Sequence, residues 1–123
     1  MFVDPTNRCQ MIDALRREGA RGPWLALLSA LVALAGPGMQ FLRHSERPWA
    51  SATFSGARHN FALVFEGIEA VAAGEGFIAA LPDHEFRLRA QLVADATITA
   101  VEHDLTAGPR LRVEAELLVL DEA

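Results

Sequence analysis

Lysine is absent: all 11 basic residues of the 123-residue chain are arginine. A chain without lysine cannot form a Schiff base or a Walker-type phosphate loop, which excludes lysine-dependent pyridoxal chemistry and P-loop nucleotide hydrolysis. Cysteine is nearly absent as well. Cys9 stands alone, so neither an intrachain disulfide nor a thiolate zinc site can form. Beside Met11 and Ile12, Cys9 reads as a small buried hydrophobe rather than a nucleophile. Membrane-length runs are also missing. The stretch between Arg21 and Arg43 is uncharged, but Gly36-Pro37-Gly38 stops its helix well short of the ~20 residues that a membrane span needs. No G-x-S-x-G, H-E-x-x-H, C-x-x-C or G-K-[ST] motif occurs. Gly74-Glu75-Gly76 falls inside a helical pattern, not between strand and helix, so it is no nucleotide loop. No cofactor is expected.

What is present describes one globular α+β domain over residues 1–123. The composition is 51% hydrophobic and 22% charged, with a net charge of −5, which excludes disorder and a general nucleic-acid binder. Charge is unevenly spread. Residues 1–50 balance to +2 and residues 51–123 to −7, so the two parts suit each other or a second copy.

Residues 1–42 read as a helical N-terminal segment. Asp4-Pro5 is a start signal, Met11, Ile12 and Leu15 recur at helical spacing, and Gly19 and Gly22 close the first helix. A second helix runs from Trp24 to about Ala35 and is apolar nearly all round. Arg16, Arg17 and Arg21 ahead of this core, with Ala33-Leu34-Ala35 after it, also allow a secretory-signal reading of residues 1–35. The favoured reading is a buried helix in a cytoplasmic protein. A two-layer domain covers only one face of such a helix, so Leu25, Leu28, Val32 and Ala35 are expected at a homodimer interface.

Residues 48–121 read as a ββαββ unit, with 43–48 as a charged connector. Ala50, Ala52 and Phe54 alternate with polar residues, Ser55-Gly56-Ala57-Arg58 reads as a turn, and Phe61, Leu63 and Phe65 continue the hairpin. Gly67 opens a helix over 68–81 with Ile68, Val71, Ile78 and Leu81 on one face and Phe77 at its edge. Gly74 and Gly76 inside it suggest close packing on the sheet. A period-2 series from Phe86 to Ala100 is too long for one straight strand, which predicts a bulge near Ala94-Asp95-Ala96. After a turn at 106–109, Leu111 to Val119 alternate again. The expected fold is two N-terminal helices, then β-β-α-β-β in a four-stranded antiparallel sheet with helices on one face.

Four histidines, His44, His59, His84 and His103, are the groups that titrate near neutrality, and none is spaced i, i+3 or i, i+4 from another. No metal site is therefore expected. On the polar sheet face, Arg110 and Arg112 are expected near Glu102 and His103, and Arg87 and Arg89 near Glu116, as cross-strand pairs. These residues imply a small non-catalytic assembly or binding module, expected to be homodimeric. The alternative is a small-molecule pocket or weak enzyme between helices and sheet, for which His59, His84, Arg58 and His103 are the candidate residues.

Overall fold

A computed structural model describes residues 23–122. The helix expected before Gly19, with Cys9, lies outside them. Helix α1 spans Pro23–Ala35, and its last turn closes where the Gly36 N–H donates to the Val32 carbonyl at 3.0 Å. Gly36 sits at φ 92°, the left-handed position after a helix that glycine occupies without steric cost.

The chain then turns into β1, Met39–Ala50, earlier than its pattern predicts. The expected end of the helical segment and the expected connector are both strand. A bulge at Leu42 shifts the register between Phe41 and Arg43, so the side-chain alternation breaks where a reader looks for it. The hairpin turn also falls earlier, at 51–54 rather than 55–58. The Ser51 N–H donates to the Phe54 carbonyl at 2.8 Å, while the Ser51 hydroxyl accepts from the Phe54 and Thr53 N–H groups at 3.1 and 3.4 Å. This is the local hydroxyl-to-backbone bonding that makes serine a turn former. Gly56, the apparent turn glycine, lies in β2, Ser55–Glu66, where any Cβ would run into the Val119 carbonyl of the neighbouring strand.

Helix α2, Ile68–Ala80, follows Gly67 and is closed by a short 3-10 turn, Leu81–Asp83, that contains Pro82. Its buried face is Val71, Gly74 and Phe77, continued by Leu81, while Ile68 is 78% exposed. The apolar stripe is thus rotated toward Phe77 relative to the expected face. Strands β3, Gln91–Asp104, and β4, Arg110–Asp121, complete the sheet. The strand expected from Phe86 begins only at Gln91, which pairs with Asp121 at the end of β4. Residues before Gln91 have no partner strand, and the chain turns there through Ala90 at φ 60°.

The sheet order is β1-β2-β4-β3, antiparallel throughout. Each hairpin is preceded by a helix, so the described chain is two αββ halves that meet where β2 pairs β4. Both helices cover one face. Leu27, Leu28, Leu31, Phe61, Leu63, Phe65, Phe77 and Leu117 belong to a single core. That core contradicts the reasoning behind a helix-to-helix interface. Leu25, Leu28, Val32 and Ala35 are 7%, 0%, 3% and 1% exposed within one chain, and small Ala26 and Ala33 face solvent instead. Helix α1 shares its core with both α2 and the sheet.

The other sheet face is open. The bulge predicted near Ala94 is there, between Val93 and Asp95, and a second lies between Ile98 and Ala100. The first reverses the expected facing of the residue before it: Leu92 is 51% exposed, on the open face opposite Leu120. Cross-strand ion pairs run along this face, Arg43–Glu114 at 2.8 Å and Arg58–Glu116 at 3.0 Å in its middle and Arg110–Glu66 at 3.6 Å at its far end. Arg112 lies opposite Glu102 as expected, whereas Arg87 and Arg89 precede β3 and join no such row.

Candidate functional site

Polar side chains come together beneath the N-terminus of α1. His44 on β1 and His59 on β2 are diagonal neighbours, because His44 pairs with Phe61 and Glu46 with His59. Their ring nitrogens, His44 Nε2 and His59 Nδ1, are 2.9 Å apart. Trp24, from the first turn of α1, lies flat on His44, with centroids 4.4 Å apart and planes 6° from parallel. Phe61 closes the inner side, 4.9 Å from His44. His59 is 1% exposed, and its other nitrogen, Nε2, lies 3.8 Å from Glu46 Oε2.

These contacts select a tautomer. With its Nε2–H turned to the Glu46 carboxylate, His59 keeps Nδ1 free to accept from the Nε2–H of His44. A neutral pair therefore satisfies Nδ1 of His59 and leaves its Nε2–H facing the carboxylate at longer range. A proton can add at Nδ1 of His44 without breaking the ring-to-ring bond, with the face of Trp24 against the ring. A second proton needs Nδ1 of His59 and breaks the bond between the rings. Burial, then the neighbouring His59, holds His44 below its ordinary pKa of 6.5, with Glu46 opposing; burial does the same to His59. Folding thus favours the neutral rings. The unfolded chain binds more protons than the folded one below about pH 6.5, so stability falls as pH drops through that range. Urea midpoints should decrease between pH 7 and pH 5. The double variant His44→Phe/His59→Phe, which replaces both partners by apolar rings, should show a shallower decrease. An equal pH slope in the two proteins would contradict the assignment.

The site candidates do not converge. His59 is in this cluster, but Arg58, the residue before it, points to the opposite face and pairs with Glu116. His84 follows the 3-10 turn and meets Phe86 edge-on, with centroids at 4.6 Å. His103 lies near the far end of β3, opposite Leu111. His44 is the member that sequence reasoning leaves out. It sits in the apparent connector, just past the Leu42 bulge, and the pattern that would reveal it, His44 and Glu46 alternating with Ser45 and Arg47, starts there. Among the described residues, no three histidine, cysteine or acidic side chains are grouped so as to hold a metal ion.

The second feature is apolar and lies on the open face at the turn end of β1 and β2. Phe54, 54% exposed, and Leu92 flank a depression of about 390 Å³ floored by Leu120. Trp49, Gly56, Leu120 and Leu92 form one row across all four strands. No helix among the described residues covers this row, although Leu120 itself is 8% exposed.

The described residues thus form an α+β fold built as αββαββ with one antiparallel sheet. This fold is similar to that of a chain in the virion of a native gene transfer agent particle, with a TM-score of 0.53 and 20% identity over 77% of this chain and 85% of that one. An alignment to the type 4 fimbrial biogenesis protein PilO from Pseudomonas aeruginosa covers 94% of this chain and 84% of that one, at 17% identity and a TM-score of 0.42. No protein-family description matches the chain, and no curated protein matches it in sequence. No helix among the described residues is long and apolar enough to cross a membrane.

Proposed function

We propose that this chain is a non-catalytic assembly or binding module that acts through protein contacts. The observation that carries the reading is the uncovered apolar row at one end of an otherwise ion-paired sheet face, with Phe54 and Leu92 each about half exposed. Large exposed apolar side chains gathered in one place mark interaction surfaces. Catalysis would instead need titratable groups and a donor facing one cleft. Here the paired histidines are occupied with each other under Trp24, and His84, His103 and Arg58 stand apart. The fold likeness to a chain of a virion particle agrees with an assembly role, although it is a likeness of fold alone.

A cytoplasmic, homo-oligomeric protein is part of this proposal. Its support against the secretory alternative is α1, since a cut after Ala35 would take Leu27, Leu28 and Leu31 out of the core. A photo-crosslinking residue in place of Phe54, in cells expressing the full chain, should yield a covalent protein adduct. The same residue in place of Glu75, exposed on α2, should not. Equal labelling at both positions, or none at Phe54, would contradict the reading.

A further inference from the structure

We propose that the apolar end of the open sheet face binds a second copy of this chain, with Arg47 of each copy meeting the partner's Asp95 across a two-fold axis parallel to the strands. The inference rests on the assembly reading above and names its partner and surface.

Register places Arg47, Arg58, Leu118 and Asp95 in one row across the four strands. Arg58 already holds Glu116 at 3.0 Å, and Arg47 reaches the same carboxylate only at 4.0 Å, with its side chain 68% exposed. Two guanidinium groups therefore share one carboxylate at the β1 side. At the β3 side, Asp95 is exposed and receives a long bond, 3.4 Å, from the Thr97 hydroxyl; among the described residues no arginine pairs with it. The two edges are three strand spacings apart, about 14 Å, too far for Arg47 to reach Asp95 within one chain.

Rotation about an axis along the strands, between β2 and β4, exchanges the edges. It sets Arg47 over the partner's Asp95, twice per dimer. In the adjoining row it sets Trp49 over the partner's Leu92 and Gly56, which has no side chain, over the partner's Leu120. Further along, Arg43 falls toward the partner's β3 and Glu66 over the partner's Arg110. Charge complements charge along the face without a like-charge row, as a self-complementary two-fold contact requires. Aligned face-to-face packing is a standard way for two sheets to cover each other. Edge-to-edge addition is disfavoured, because β1 carries Pro48 and the Leu42 bulge and β3 carries two bulges. On the helical side α1 buries its large side chains at home, and α2 exposes Ile68.

Sedimentation equilibrium of the full chain and four variants tests this. Arg47→Asp and Asp95→Arg should each raise the dimer dissociation constant by about tenfold or more, because each places like charges together twice. The exchange of both charges in one chain should restore it to within about threefold. Phe54→Ser should weaken the dimer without altering any charge. All three positions are exposed, and unchanged circular dichroism should show that the variants fold. Dimers that are indifferent to all four changes would overturn the surface and leave the assembly reading standing. A chain monomeric at about 100 μM overturns the inference, and the Phe54 crosslink then decides the assembly reading by itself.

Discussion

Leu28→Glu is expected to unfold the chain, not to turn a dimer into a folded monomer. Leu28 is fully buried in the core that α1 shares with the sheet. The substitution removes a packed side chain, which alone costs about 2–5 kcal/mol, and leaves a carboxylate without a partner in an apolar interior. Small domains are stable by about 5–15 kcal/mol, so most of that margin disappears. Ala33→Glu, on the exposed side of the same helix, should change stability by less than about 1 kcal/mol. Circular dichroism and urea titration separate the outcomes. A well-folded Leu28→Glu monomer would show that this side chain faces outward and would return the helix to the list of interface candidates.

Gly74→Ala and Gly76→Ala should move stability in opposite directions, although both replace a helical glycine two residues apart. A Cβ at Gly74 would stand 2.8 Å from the Phe65 ring and 2.9 Å from Leu111 Cδ2. Neither neighbour can yield easily, because Phe65 and Leu111 are themselves buried. Overpacking of this kind costs about 1–3 kcal/mol, more than the helix-propensity gain of up to about 1 kcal/mol. At Gly76 a Cβ meets nothing within 4 Å, so the propensity gain stands alone and the variant should be more stable. Urea midpoints in either reversed order would mean that α2 sits on the sheet by a different face.

The close packing of α2 was legible from its glycines only in part: the sequence shows two, and only Gly74 touches the sheet. The hairpins were legible wherever alternation was clean, as in β4, where Leu111, Val113, Ala115, Leu117 and Val119 all face the core. Legibility failed at bulges. An extra residue at Leu42 reverses the facing of everything after it, and so hid both β1 and His44. An extra residue at Ala94 puts Leu92, before it, out of phase with Ala96 and Ile98 after it, which placed a surface residue in the expected core. The interface expectation failed for a different reason. An apolar helix reads as exposed on one side only if the sheet alone covers it, and here α1 shares one core with α2 and the sheet. Arg47 and Asp95 could not be related by sequence at all, since their common row exists only once β2 and β4 lie between them.

Hydrogen–deuterium exchange of the full chain at low and high concentration tests most directly whether the open sheet face carries the protein contact. At a few micromolar and at several hundred micromolar, protection should differ in the segments containing Phe54 and Gly56, Leu92 to Asp95, and Leu118 to Leu120. Amides of α1 and α2 should exchange identically at both concentrations. Concentration-dependent protection confined to the helices, or none anywhere, would contradict the account.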